Sequence, residues 1–359
     1  MTRRSAAPGV HILGIGSLGK FFAHSLRASH PDLPIALLYH RPNFPTQFIE
    51  AENSIQVRTP PTAVSQLGGF SIESVHDKVL SQSAIKNLIV ATKTLTTAVA
   101  VTSIASRLDK DSTLLFVQNG MGTIDEVTDQ IFPEQSQRPK FMAGIVNHGL
   151  YSTSPFSVVH AGIADMTFAA VSSSSLASKD ELGILPALLL NSSTLNATFA
   201  EPGQLLEIQL RKLTVNAVIN PLTIIFDCRN GELFQRPVLR TLLVSLVKEI
   251  SSIIIKLLQA RGSMDEKSIK AFNEKVLLEV VDTIGAKTAS NISSMRQDYL
   301  AGRPTEIDYI NGFLVRQAQA FGVEASINEK IVALVKSKTN VLDEEVASTF
   351  ELYSKVQHV

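Results

Sequence analysis

The chain has 359 residues but only one cysteine, Cys228, and no tryptophan. A single thiol cannot form an intramolecular disulfide, which is typical of proteins from a reducing compartment. We interpret Cys228 as a small buried hydrophobe rather than a nucleophile. The 33 basic and 33 acidic side chains cancel, and no dense run of lysine and arginine occurs. Without an overall field to attract a polyanion, we expect neither nucleic acid nor a membrane surface as a partner.

Long hydrophobic runs are also missing. The first nine residues have no apolar segment of the kind that directs secretion. The apolar stretch 213–226 is too short to span a bilayer, and stretch 242–258 is interrupted by Lys248 and Glu249. We therefore predict a cytoplasmic protein without a transmembrane segment. Two arginines and a serine ahead of the first predicted strand leave a short mitochondrial presequence as the alternative.

A glycine motif is the most informative feature that is present. Residues 12–19 read Ile-Leu-Gly-Ile-Gly-Ser-Leu-Gly, so Gly14, Gly16 and Gly19 fit G-x-G-x-x-G. In dinucleotide-binding folds the first glycine forms a tight turn, the second lets the backbone approach a pyrophosphate, and the third lets helix pack on strand. The motif follows an apolar strand-like run and precedes a helical pattern. We therefore predict a coenzyme site that includes Ser17 and Leu18, the alternative being an ordinary turn.

The second apolar run indicates which coenzyme binds. It covers residues 35–39 and ends at His40 and Arg41, where NAD-binding folds carry a carboxylate for the ribose 2′-hydroxyl. A 2′-phosphate needs a cation instead, and Arg41 supplies one. The sequence therefore favours NADPH, although an arginine before Pro42 can also be a solvated loop charge.

The pattern of apolar residues divides the chain near residue 200. Up to that point short strand-like runs alternate with helical patterns, which predicts a Rossmann-type α/β domain over 1–200 with a doubly wound sheet. From 201 to 359 long helical periods predict an all-α domain. The predicted strands are 10–13, 35–39, 87–91, 114–117 and 141–146, and further antiparallel strands that close the same domain are expected within 151–200. The predicted helices are 204–228, 237–260, 265–284, 305–320, 327–338 and 343–356.

One predicted helix carries a polar stripe. Lys212, Asn216 and Asn220 are spaced four residues apart, so they follow one face of the helix, while apolar residues cover much of the remaining surface. Two amides can fix hydroxyls and carboxylates, and a lysine can donate a proton. The stripe predicts the lining of a polar ligand site. The alternative is a solvated face on a helix kinked at Pro221.

Two further places carry candidate site residues. Thr305 and Asp308 resemble a capping box, which would put Glu306 in the first turn of a helix and Asn311 within it. Lys93 and Asn119 follow the predicted strands 87–91 and 114–117. Ligands of open α/β sheets bind beyond the carboxyl ends of strands, so we expect these two residues to meet coenzyme or substrate.

Taken in order, these segments resemble the ketopantoate reductase (2-dehydropantoate 2-reductase) family. The matching segments are 14–19, 91–93, 118–122, 212–221, 294–298 and 305–312. The resemblance implies a Rossmann domain and a helical domain with the active site in a cleft between them, and NADPH-dependent reduction of 2-dehydropantoate in pantothenate biosynthesis. It assigns Lys212 as general acid and Glu306 as the group that orients substrate or lysine. Substrate would be held by Asn216, Asn220, Ser294 and Lys93, with Lys93 and Asn119 also near the nicotinamide and its ribose.

Two other functions stay open at this point. The protein could reduce another 2-oxo acid by the same mechanism, or it could be a non-catalytic NADP sensor. Residues 45–86 match no motif and have no assigned role. No metal is expected in the site, and the apolar helices after Pro202 offer surface for a homodimer.

Overall fold

A computed structural model describes residues 9–77, 83–171, 179–262 and 269–352. The chain separates into two compact units. The first contains residues up to 118 together with 123–205, and the second contains residues 119–122 together with 206 onward. The first unit is built on β-sheets and the second on helices.

An eight-stranded sheet forms the centre of the first unit, in the order β12-β11-β8-β7-β6-β1-β2-β5. Most neighbours are parallel, but β11 runs antiparallel to β8. β1 and β2 match the predicted strands, because both are buried apolar runs bounded by turn residues. The strands of this sheet are β1 (Val10–Leu13), β2 (Ile35–Tyr39), β5 (Ser71–Ser74), β6 (Asn87–Val90), β7 (Thr113–Phe116), β8 (Lys140–Val146), β11 (Met166–Ala170) and β12 (Ala197–Phe199).

A second sheet of four strands lies in the same unit, in the order β4-β3-β10-β9. It joins β3 (Ile55–Thr59) and β4 (Ala63–Leu67) to β9 (Gly149–Ser154) and β10 (Ser157–Gly162). The antiparallel strands expected within 151–200 are present in this unit, because β10 is antiparallel to β9 and β11 is antiparallel to β8. The pairing of β10 with β3, which lies in the unassigned segment 45–86, was not predicted. The helices of this unit are α1 (Ser17–Ser29), α2 (Phe44–Glu50), α3 (Thr94–Thr102), α4 (Thr123–Ile131) and α5 (Leu185–Leu190).

Helices make up the second unit, and two of them are long. α6 (Pro202–Ile225) and α8 (Pro237–Arg261) agree with the predicted helices, because apolar residues repeat at helical spacing in both. Gly262 ends α8 in the left-handed conformation that favours glycine. The remaining helices are α7 (Glu232–Gln235), α9 (Glu274–Lys287), α10 (Ser294–Leu300), α11 (Asn311–Phe321), α12 (Ser326–Ser337) and α13 (Val346–Thr349).

Three predicted helix boundaries need comment. Two boundaries lie outside the described residues, namely the beginning of predicted helix 265–284 and the end of predicted helix 343–356. In the described part of the first of these, α9 starts at Glu274, and the Asn273 side chain caps it by accepting from the Val276 N–H. The capping box at Thr305 and Asp308 is wrong. Asp308 pairs with Lys336 at 2.6 Å, residues Ile307–Tyr309 form a short 3-10 turn, and α11 begins only at Asn311.

The described helices include none with the length and apolar character needed to cross a bilayer.

Candidate active site

The glycine loop between β1 and α1 has the geometry of a dinucleotide-binding turn. Gly14 has a φ of +97°, and a β-carbon there would collide with the backbone of Ala91 and Thr92. A β-carbon on Gly19 would collide with the Gly14 carbonyl, so this glycine lets α1 pack against the loop. At Gly16 a β-carbon would meet no atom of the described residues within 4 Å, so the backbone faces open space.

That open space lies at the N-terminus of α1. Gly16 is the N-cap residue and Ser17 and Leu18 open the helix, so its first N–H groups are free of partners within the helix. Such a terminus attracts the negative charge of a phosphate. The loop therefore fits the pyrophosphate of a dinucleotide, which Gly14, Gly16, Ser17, Leu18 and Gly19 would hold.

Arg41 and Lys93 follow strands β2 and β6, and both side chains are exposed. Lys93 is the N-cap residue of α3, and its carbonyl accepts hydrogen bonds from the Thr96 and Thr97 hydroxyls at 3.0 and 3.1 Å. These contacts fix the backbone at the carboxyl end of β6. Burial, followed by the positive charge of Arg41, lowers the pKa of the Lys20 ammonium.

In the second unit, α6 carries the predicted polar stripe on a continuous helix. Lys212 and Asn216 are half-buried, and the Asn220 side chain is only 8% exposed. The flanking residues Leu213, Ala217 and Val218 are fully enclosed. A solvated face would not bury its polar residues to this degree, so the alternative reading of the stripe as a water-exposed surface is not favoured.

The loop that carries Asn119 belongs to the second unit as well. Asn119 is half-buried, and the next residue, Gly120, has a φ of +79°. A β-carbon on Gly120 would collide with the Tyr309 carbonyl, which accepts a hydrogen bond from the Met121 N–H at 2.9 Å. Two requirements therefore explain the glycine at this position: its backbone conformation in the turn and its close packing on residues 307–309.

Glu306 precedes the same 3-10 turn and is only 7% exposed. The prediction that Glu306 lies in the first turn of a helix is wrong, because α11 begins only at Asn311. The placement of Glu306 depends on packing of the turn, in which the Tyr309 N–H donates to the Glu306 carbonyl at 3.0 Å. A buried carboxylate in a unit that also carries the half-buried Lys212 remains a candidate for orienting substrate.

The two serines at the start of α10, the N-cap residue Ser293 and the first helical residue Ser294, differ in burial. Ser293 is buried; its hydroxyl accepts from the Arg296 N–H at 3.1 Å and lies 2.7 Å from the Thr223 hydroxyl of α6. Ser294, the predicted substrate ligand, is exposed. Ser293 thus ties the start of α10 to α6, which leaves Ser294 on the surface beside that contact.

Sequence reasoning missed a buried polar network that supports α6. Glu249 on α8 accepts from the Ile327 and Asn328 N–H groups at 3.0 and 2.9 Å and so caps α12. The Asn328 amide is hydrogen-bonded to Asn311, and Asn311 also donates to the Ala217 carbonyl at 2.9 Å. The available signal in the sequence was Glu249, a charged residue at a position of the predicted helix 237–260 where apolar residues face the core.

A glycine loop on a parallel sheet, with a separate helical unit that carries a half-buried lysine and two amides, defines the class of nicotinamide-dependent reductases. Comparisons with known proteins agree with this class. The family model "Ketopantoate reductase PanE/ApbA" matches residues 10–173, and "Ketopantoate reductase PanE/ApbA C terminal" matches residues 204–339. The chain belongs to the ketopantoate reductase family.

Curated relatives and solved structures support this membership. The chain is 32% identical to a probable 2-dehydropantoate 2-reductase of Schizosaccharomyces pombe, over 92% of this chain and 96% of the relative. It is 28% identical to the 2-dehydropantoate 2-reductase of Saccharomyces cerevisiae, over 88% and 89% of the two chains. In fold it is similar to D-mandelate dehydrogenase solved with NADH and anilino(oxo)acetate, with a TM-score of 0.72, 21% identity, and coverage of 92% and 97%.

Proposed function

We propose that this protein reduces 2-dehydropantoate to pantoate with NADPH, the reductive step of pantothenate biosynthesis. The observation that carries the proposal is the half-buried stripe of Lys212, Asn216 and Asn220 on α6 in a member of the ketopantoate reductase family. A ketone reduction needs a hydride, a proton donor and groups that fix the substrate. The stripe offers the last two.

Lys212 is the proposed proton donor. A bound nicotinamide coenzyme would supply the hydride that C2 of the 2-oxo acid accepts, and the C2 oxygen would gain negative charge as its carbonyl π bond breaks. The Lys212 ammonium stabilises this charge and delivers the proton that completes the alcohol. Partial burial strengthens both effects, because less water screens the charge.

The remaining predicted residues would bind and orient the substrate. The Asn216 and Asn220 amides can donate to the carboxylate and accept from the 4-hydroxyl of 2-dehydropantoate. Glu306 is proposed to orient the substrate or the lysine, and Ser294 and Lys93 to contribute further hydrogen bonds. A substrate without the 4-hydroxyl would leave buried polar groups unpaired, which discriminates strongly against it.

The proposal that NADPH is the coenzyme rests on Arg41. β2 ends without an acidic residue at the position where NAD-binding folds place one, and Arg41 is exposed beside that strand end. An exposed guanidinium can form two parallel hydrogen bonds with a phosphate. Lys93 and Asn119, which follow β6 and β7, are proposed to lie near the ribose and nicotinamide.

A reductase of another 2-oxo acid is the second candidate. It is favoured by the similarity in fold to an enzyme named for D-mandelate, whose structure contains NADH. The mechanism at Lys212 would be unchanged and only the pocket would differ. A non-catalytic NADP sensor is disfavoured, because such a protein does not need a half-buried lysine and two amides on one helix.

A substrate panel separates these possibilities. The purified protein is incubated with NADPH and, in separate reactions, 2-dehydropantoate, 2-oxoisovalerate and phenylglyoxylate, and the loss of NADPH absorbance is followed. We expect the highest kcat/KM with 2-dehydropantoate. A higher value with either of the other acids would assign the protein to the second candidate, and coenzyme binding without turnover on any acid would contradict both.

A further inference from the structure

Lys20 is a buried cation on α1 with a complete set of hydrogen-bond acceptors. The residue directly follows Gly19, and it is only 2% exposed. Its ammonium lies 2.8 Å from the Ser152 hydroxyl, 2.9 Å from the Pro155 carbonyl and 3.2 Å from the Ser154 carbonyl. An ammonium has three N–H donors and no lone pair, so it donates in all three contacts. Lys20 therefore fastens the hairpin of β9 and β10 to α1.

Ser152 connects Lys20 to the first residue after the glycine turn, Ser17, through hydrogen bonds. Its hydroxyl oxygen lies 2.8 Å from the hydroxyl oxygen of Ser17, the first residue of α1. A hydroxyl has a single proton. Because Ser152 already accepts from Lys20, its proton is available to Ser17, and the Ser17 proton is then available to a further acceptor. That acceptor would lie at the helix N-terminus, next to the open space over Gly16.

Resting on the proposed coenzyme-dependent function, we propose that Lys20 is a positioning residue for the coenzyme pyrophosphate. Through Ser152 it orients the Ser17 hydroxyl so that this hydroxyl donates to a pyrophosphate oxygen. The hairpin of the second sheet is thereby part of the coenzyme site. The role is shared by NADH and NADPH, because both contain the pyrophosphate, whereas Arg41 would act on NADPH alone.

The positive charges of Lys20 and Arg41 favour an anion close to them. No carboxylate forms an ion pair with Lys20 within the described ranges of the chain, and the Arg41 guanidinium is close enough to oppose its charge. Burial, followed by Arg41, lowers the Lys20 pKa to about 8. A buried ammonium without a counter-ion costs free energy of folding. A bound pyrophosphate would compensate that cost and favour the charged form.

Other titratable groups near α1 do not account for a change near pH 8. The pKa values of His24 on α1 and His160 on β10 are lowered from 6.5, in each case mainly by burial, so both rings are neutral at that pH. Arginine and tyrosine ordinarily titrate well above pH 8, and histidine below it. The remaining such side chains, on α1 and on or beside the elements packed against it, are His11, Arg27, His30, Tyr39, His40, Arg41, Arg58, His148 and Tyr151.

The test is a binding titration of NADH and NADPH to the full-length protein, without substrate, so that its result does not depend on turnover. Lys20→Met should weaken both coenzymes by the same factor, about tenfold, as expected for a lost charge-assisted hydrogen bond. Ser152→Ala should have a similar effect and keeps Lys20, and because Ser152 is exposed this variant folds independently of the fate of Lys20→Met. Thr153→Ala, which removes the neighbouring hydroxyl, is the control and should leave affinity unchanged.

Two further readouts separate a positioning role from a purely structural one. Ser17→Ala should add little to Lys20→Met, because both remove the same hydrogen bond. The affinity of the wild-type protein should fall as the pH rises through about 8, while that of Lys20→Met should not change over this interval. Wild-type affinity in a folded Ser152→Ala variant, additive effects of Ser17→Ala and Lys20→Met, or weakening of NADPH alone would each overturn the proposal.

Discussion

Asn311 donates its side-chain amide to the carbonyl of Ala217, 2.9 Å away, and so provides the hydrogen bond that Pro221 cannot. Within an α-helix the Ala217 carbonyl would accept from the N–H of the fourth following residue, which here is Pro221 and has no N–H. Asn311 is fully buried, so the replacement is not made by water. This contact keeps α6 continuous between Asn216 and Asn220.

Asn311→Leu should therefore destabilise the protein by about 1–3 kcal/mol, the usual effect of leaving a buried acceptor without a donor. Urea unfolding measures the loss. Pro221→Ala is the matched partner, because alanine restores an N–H to the Ala217 carbonyl. In that background Asn311→Leu should have a smaller effect. Equal losses in the two backgrounds would show that Asn311 does not replace the missing helical hydrogen bond.

The glycine loop gives a prediction in which stability and binding separate. Gly16→Ala should leave the free energy of unfolding within about 0.5 kcal/mol of wild type, because the added methyl meets no atom within 4 Å in the part of the chain that the structure describes. It should weaken NADPH binding by about tenfold or more, since the methyl occupies space needed for the pyrophosphate. Gly19→Ala is the comparison. Its methyl collides with the Gly14 carbonyl, so it should destabilise the fold by about 1–3 kcal/mol.

Arg41 is predicted to select between the two nicotinamide coenzymes. Arg41→Gln should raise the Kd for NADPH by about 10- to 100-fold, the range expected for lost hydrogen bonds to a charged group. The Kd for NADH should stay the same, because NADH has no 2′-phosphate. Titrations with both coenzymes provide the measurement and its internal control. An equal increase in the Kd for NADH would show that Arg41 binds a part of the coenzyme other than the 2′-phosphate.

A buried histidine pair predicts how the stability of the first unit depends on pH. The Ala164 N–H donates to Nδ1 of His148 at 3.2 Å, so this nitrogen is an acceptor, and Nε2 of His160, 3.0 Å from it, must donate. Burial, and then His148, lowers the His160 pKa from its ordinary 6.5. The unfolded chain therefore binds the proton more readily than the folded one. The contribution of neutral His160 to the free energy of unfolding is therefore fully present above pH 6.5, and it is lost as the pH falls through 6.5 toward the lower folded-state pKa.

Thermal unfolding at pH 7.5 and pH 5.5, values chosen on either side of a free histidine pKa, measures this effect. The Tm of the wild type should be lower at the acidic pH, and the difference should be smaller in His160→Gln. Burial also lowers the pKa of His24, so His24→Gln should reduce the difference in Tm in the same direction. If both variants keep the wild-type difference in Tm, the two histidines do not cause the pH dependence of stability.

Features set by neighbouring residues were predictable from the sequence. β1 and β2 begin and end where predicted, and each glycine of the loop has the packing environment that the motif implies. The second sheet was not predictable, because it pairs β3 with β10, and the bonded residues Gln56 and Ser157 are 101 positions apart. Nothing in the sequence next to Lys20 indicates that Ser152 will cover it.

The start of α11 shows a different limit. Thr305 and Asp308 have the spacing of a capping box, but a tertiary ion pair to Lys336 takes the Asp308 carboxylate and the helix begins later. Local capping energies are about 1 kcal/mol, so a tertiary contact can displace them. The polar stripe on α6 was predictable because helical spacing alone aligns its residues, whereas the roles of Lys212 and Glu306 remain proposals.

The most direct test of the central claim is single-turnover reduction of 2-dehydropantoate by Lys212→Ala with saturating NADPH, beside a titration of NADPH binding to the same variant. A lost general acid should lower the rate by about 10² to 10⁴, while the Kd for NADPH should stay near the wild-type value. Lys248→Ala, which removes an exposed lysine from α8, should keep the full rate. A wild-type rate in folded Lys212→Ala would contradict the assignment of Lys212 as the proton donor.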